Sequence, residues 1–450
     1  ALRLNRPDIL LERLGTSDLA TIEGIRKTID RRQRKANITS TGTPDEEEDL
    51  PHVRILNSRI EGMNAKIEFE IEPGESGVVS YQIYHHGVPV FPPSGNRAGS
   101  GVFRFEESIL LSPGENKLEI SCLSGLGVEA ARATEYLIPP STSGGEEKPD
   151  LYFFGIGVSD YTDERVSDLS YADDDARDLA TVFRSLSPGY RNVHTEVLLD
   201  DEVTRSADEA IAEFFGQARP QDCIVLFVAG HGIHVDDSYY FLTADTNIDD
   251  IPAVALAFEE IEGSFDRSLS RNRLLLLDTC ESGERLSGDG SLVDLQTKRS
   301  RFTPRVLSRE THRIVNAGSI EPSASYLTGD RFLGNDLFRR KGVVVISSCG
   351  SSEVALEHSR FENGLFTEAL ISGFETARAD SNRDGTILKA ELIAFIQAEI
   401  PRLVAEVDPE TTLSQTPRID RDNLENPLGF PSVLLGESPS SNSTDAAIPR

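Results

Sequence analysis

The spacing of apolar residues changes character along the chain. Within residues 1–40, Leu10, Leu11, Leu14, Leu19, Ile22, Ile25 and Ile29 recur at helical spacing, which predicts an N-terminal helical segment. Arg26, Lys27, Arg31, Arg32, Arg34 and Lys35 cover its polar side as a solvated face. An acidic linker follows at 41–51. From Lys66 to Glu72 apolar and polar residues alternate strictly, as a half-buried strand requires. PGES at 73–76 and PGEN at 113–116 are turn signals, and Val78–Tyr84, Val102–Phe105 and Lys117–Cys122 supply more strands. Residues 52–140 are therefore expected to form a small all-β, immunoglobulin-like sandwich, and 141–150 a flexible linker.

Beyond residue 150 the period switches to alternating strands and helices. Leu151–Val158, Glu196–Leu199, Cys223–Val228, Arg273–Leu277 and Val343–Ser347 read as strands. Helices are expected from Ala172 to Phe183, over Thr204–Ala218, and at 363–375 and 388–399. The fold class is α/β, a mostly parallel sheet with helices on both faces, over 151–435. Residues 436–450 form a polar tail expected to be disordered.

Composition narrows the function. A net charge of −30 over 450 residues disfavours a direct nucleic-acid partner and suits basic peptides. No apolar run approaches the roughly 18 residues a membrane span needs. Four cysteines (Cys122, Cys223, Cys280 and Cys349) are too few and too scattered for a disulfide framework, so a reducing, cytoplasmic setting is expected. Met63 is the only methionine, so residue 1 is read as the product of processing or as part of a longer chain.

Two buried strands end in chemistry. IVLFVAGHG ends at His231, and RLLLLDTCESG ends at Cys280. In a parallel sheet both side chains emerge at the carboxyl edge, where ligands bind. An imidazole beside a thiol lowers its pKa and shuttles its proton. Gly232 leaves room for its N–H to reach a substrate carbonyl, forming an oxyanion hole with the N–H of Cys280. Alone, His231 reads as a structural histidine and Cys280 as a small buried hydrophobe. Together they point to a thiol hydrolase.

AGHG and DTCESG resemble the motifs of the caspase/metacaspase superfamily, the second in its metacaspase form. LYFFGIGVSDY, LSYADDDARDLA and SSCGSSEVALEHSRFENGLFTEAL are similar to its first strand, first helix and later small-subunit region. The resemblance implies a caspase-like fold, a His231/Cys280 dyad and peptide-bond hydrolysis with no required cofactor. It also implies an acidic pocket, with Asp175 and Asp278, for Arg or Lys before the cut; two carboxylates suit a guanidinium through charge-assisted bonds. Ala229 departs from the pattern, where metacaspases often carry serine. NRPDILLERLG is similar to a segment that joins WD-repeat propellers to caspase-like domains in some bacterial proteins. A second reading is a silent caspase-like scaffold, and a third a regulated effector with an activator protein recruited by the N-terminal regions.

Two further features stand out. Lys298, Arg299, Arg301, Arg305, Arg309 and Arg313 make residues 298–313 basic in an acidic chain. The first five are candidate autocleavage sites, and the segment reads as an autoprocessing loop, a pseudosubstrate or a solvated loop. Asp380, Asn382, Asp384, Thr386 and Glu391 have the spacing of an EF-hand calcium loop, although no partner EF-hand is present in the sequence.

Overall fold

The computed structural model describes residues 50–279, 301–305 and 342–432, except 93–94, 98–102, 113, 126–127, 141–147, 236–237, 351–352, 412 and 422–427, together with Glu12, Arg13, Ile22, Arg26, Leu307 and Thr311. Those first four residues are helical.

The N-terminal part is sheet-rich. His52–Glu61, Asn64–Glu72 and Phe103–Leu110 form one antiparallel sheet, while Val78–His85, Asn116–Ser124 and Ala133–Leu137 dominate a second. Ile67, Phe69 and Ile71, alternating along one strand, are fully buried against Ile83, Leu118 and Ile120 of the other sheet.

A six-stranded sheet follows. Its strands are β1 (Leu151–Gly157), β2 (Val193–Leu199), β3 (Cys223–Gly230), β4 (Asn272–Thr279), β5 (Val344–Ser347) and β6 (Arg418–Arg421), in the order β2-β1-β3-β4-β5-β6. All pairings are parallel except that of β6 with β5. Because helices cover both faces, β1, β3 and β5 are buried at every residue, which is why their sequences are unbroken apolar runs. Helices α1 (Ala172–Ser185), α3 (Leu365–Glu375) and α4 (Lys389–Val407) pack into the core cluster on one face. Helix α2 (Ala207–Phe215) packs on the other. It is shorter than the sequence pattern predicts, beginning at Ala207 after a turn at Thr204.

The two regions touch at the amino end of β4. Arg271, one residue before that strand, donates to the Leu110 carbonyl and to Nδ1 of His85. Burial and the neighbouring cation hold the His85 imidazole neutral, with its pKa lowered to about 2.

Candidate active site

Strand β3 delivers His231. Its last residue, Gly230, has φ of 151°, and a Cβ there would lie 2.9 Å from the Phe241 ring and 3.1 Å from the Tyr161 hydroxyl. Only glycine fits that turn, which aims the next side chain out of the carboxyl edge. The His231 imidazole is buried, and its Nε2 lies 2.8 Å from the Ser167 carbonyl oxygen. A carbonyl can only accept, so Nε2 carries the proton and Nδ1 is the basic nitrogen. The His231 N–H donates to the Tyr161 hydroxyl oxygen at 2.9 Å, and burial pushes that phenol's pKa up.

Strands β3 and β4 are neighbours in parallel register, with Ala229 opposite Asp278 and Gly230 opposite Thr279. His231 therefore leaves the sheet at the edge where Thr279 ends the described part of β4. The next residue, Cys280, lies outside the described residues together with its oxyanion N–H, as do Lys298, Arg299 and Arg309. Gly232 opens a hairpin, Gly232–Val235 against Ser238–Phe241. A Cβ on it would sit 1.7 Å from the Tyr239 hydroxyl, which donates to Thr279 Oγ1 at 2.8 Å. The missing side chain at Gly232 thus makes room for the Tyr239 phenol.

Asp175 and Asp278, predicted to share a pocket, do converge. Asp175 lies in the first turn of α1 and Asp278 near the end of β4, and both are sealed from solvent. Between them lies the guanidinium of Arg305, also fully buried. Its Nη2 pairs with Asp175, its Nη1 lies 3.0 Å from Asp278, and its Nε lies 3.3 Å from a third acid, Glu357. Burial pulls the arginine's pKa down, but the three carboxylates more than reverse this. Burial raises the carboxyl pKa values: Asp175 rises to about 7 despite the nearby arginine, helped by the charge of Asp278, and Asp278 also rises. Burial thus works against ionisation of both acids, and the Arg305 guanidinium works for it.

Glu357 and Gly364 were not singled out from the sequence. Gly364 gives its N–H to Asp175 at 2.8 Å and packs closely against the cluster. A Cβ there would lie 2.6 Å from Asp278 Oδ2 and 2.9 Å from Arg305 Nη2. Glu357 and Gly364 both lie in the segment similar to the family's small-subunit region, which was the available signal, although 363–364 form a short strand and the expected helix begins at Leu365.

The backbone leading to Arg305 is extended. Thr303 pairs with Glu357 and Pro304 with Leu356 in an antiparallel ladder, and the Arg305 N–H donates to the Ala355 carbonyl at 2.9 Å. Phe302 is buried, its ring edge-on to His358 at 5.5 Å between centroids. Arg301, by contrast, is exposed and donates to the Val407 carbonyl at the end of α4.

The loop with EF-hand spacing is closed by its own hydrogen bonds. Asp380, Asn382 and Asp384 accept the N–H groups of Gly385, Asp384 and Thr386. Glu391 Oε1 accepts from the N–H and hydroxyl of Ser381, and Oε2 accepts the Leu388 N–H at the start of α4. Thr386 lies in a short strand paired with Gly429–Pro431. Among the described residues no group of three or more His, Cys, Asp or Glu side chains is placed to hold a metal, so the calcium expectation rests on spacing alone. No helix among them is long and apolar enough to cross a membrane.

Residues 155–428 match the family model described as the caspase domain. No curated protein matches the chain. Among solved structures, protein GSU0716 from Geobacter sulfurreducens is 17% identical, with a TM-score of 0.39, over 60% of this chain and 92% of that one. Caspase-1 from Spodoptera frugiperda is 14% identical with a TM-score of 0.35, over 60% and 86% of the two chains. The structure titled pro-sf-caspase-1 is 12% identical with a TM-score of 0.33, over 62% and 94%.

Proposed function

Because the chain belongs to the caspase domain family, we propose that it is a cysteine endopeptidase that cuts after Arg or Lys and processes itself in the 298–313 loop. The observation that carries this reading is Arg305, seated in a buried pocket of three acids at the end of an extended segment. A peptide substrate laid along Ala355–Glu357 in the same way would put its basic side chain where Arg305 lies. Its scissile carbonyl would then follow directly, beside the strand end that carries Cys280.

The chemistry follows from the placement of the groups. His231 Nδ1 takes the Cys280 proton, and the thiolate sulfur attacks the scissile carbonyl carbon. The carbonyl oxygen becomes an oxyanion held by the N–H groups of Gly232 and Cys280. The imidazolium gives its proton to the leaving amine, the C–N bond breaks and a thioester remains. Water, deprotonated by His231, attacks the thioester, releases the acid and restores the thiol. The Ser167 carbonyl holds Nε2 throughout, fixing the ring and stabilising its positive form. All these groups belong to the protein itself, so the reaction needs no cofactor.

Digesting a denatured protein mixture and locating every cut by mass spectrometry tests the reading. Cuts confined to bonds after Arg or Lys support it. No cuts by wild-type protein would favour a silent scaffold instead.

A further inference from the structure

We propose that Glu357 makes this pocket select arginine over lysine; the proposal rests on the reading that the pocket receives the substrate residue before the cut. The three nitrogens of the Arg305 guanidinium meet three separate carboxylates: Nη2 meets Asp175, Nη1 meets Asp278 and Nε meets Glu357. The first two partners address the tip of the side chain. Glu357 addresses the nitrogen one bond nearer the backbone, and lysine has a methylene at that position.

Lysine follows the same path of five atoms beyond Cα, and its ammonium falls where arginine has Cζ. It therefore stops one bond short of both Nη positions and sets a CH2 group against the Glu357 carboxylate. That carboxylate cannot swing away to compensate. Its other oxygen accepts the Ser170 N–H at 3.0 Å, it is fully buried, and its strand is paired on both sides, to Thr303–Pro304 and to Asn363–Gly364. A bound lysine thus leaves a buried acceptor without its donor. Sites built around a hydrogen-bonding group reject analogues that lack it far more strongly than apolar pockets reject a missing methylene.

The test compares kcat/KM for three peptides, Phe-Thr-Pro-X with one fluorogenic leaving group, where X is arginine, lysine or homolysine. The proposal expects wild type to favour arginine over lysine by about 100-fold or more. Homolysine should stay poor, because it regains reach but still lacks the Nε–H. In Glu357→Gln, arginine should lose at least about tenfold while lysine changes little, which compresses the ratio. Equal cleavage of arginine and lysine by wild type overturns the proposal and leaves the endopeptidase reading intact. Homolysine cleaved as well as arginine overturns it too, since reach alone would then explain the preference. Cleavage of none of the three removes the endopeptidase reading and this inference with it. The peptide comparison needs no variant, so a Glu357→Gln protein that fails to fold does not block the test.

Discussion

Arg305 and Asp175, 130 positions apart in sequence, form an ion pair with neither side chain open to solvent. Burying charges this way costs several kcal/mol per ion unless partners and hydrogen bonds compensate. A chain that only needed a stable loop would satisfy it at lower cost with an apolar residue. The charged arrangement suits the proposed pocket for a basic substrate residue, with Arg305 standing where that residue would bind.

That arrangement makes the bond after Arg305 the expected self-cleavage site. Incubated wild-type protein should give a fragment beginning at Val306, and Cys280→Ala should stay intact. Arg305→Ala should lose this cut even if others in the 298–313 loop persist. Fragment masses check all three outcomes.

Gly364→Ala should close the pocket. The added methyl falls within 3 Å of both Asp278 Oδ2 and the Arg305 Nη2 position, and neither the carboxylate nor a substrate guanidinium can withdraw inside a sealed site. Activity on arginine peptides should fall by roughly 100-fold or more. Residues 301–305 should also lose their seat and become sensitive to added trypsin in the Cys280→Ala background.

The pocket should also be sensitive to pH. Asp175 has a pKa of about 7 with an arginine beside it, and that arginine lowers it. With the pocket empty its pKa is therefore higher. A group whose pKa falls when a ligand binds gives up a proton on binding, so binding strengthens as pH rises above the bound-state value. From about pH 7 upward kcat/KM for arginine peptides should rise, by up to about tenfold per unit while Asp175 alone governs it. Asp175→Asn should flatten that rise, and an unchanged profile in this variant would contradict the assignment.

Arg271 should matter for stability rather than specificity. Its half-buried side chain bridges the sheet-rich N-terminal part and β4, against the Leu110 carbonyl and His85. Arg271→Ala strands both acceptors and should cost about 2–4 kcal/mol in denaturant unfolding.

The sequence made the scaffold readable, because a parallel sheet buried on both faces writes itself as apolar runs. β1, β3 and β4 were visible for that reason, and so were the glycine-flanked strand ends at His231 and Asp278. β6 was missed. Arg418-Ile-Asp-Arg421 at an antiparallel edge has too few apolar residues to register. Asp175 and Asp278 came from family resemblance, whereas Glu357 was hidden. Its neighbours Ser170 and Arg305 lie 187 and 52 residues away, and no local spacing encodes such contacts. Arg305 stood among six basic residues that looked alike as sequence. Only the pairing of Thr303 and Pro304 with Glu357 and Leu356 separates it from Arg301.

The most direct test is hydrolysis of a fluorogenic Phe-Thr-Pro-Arg peptide by wild type and by Cys280→Ala at equal concentration. The account predicts release of the fluorophore by wild type and none above background by the variant. Equal rates from the two proteins would mean that another group does the cutting, and would contradict the assignment of Cys280 as nucleophile.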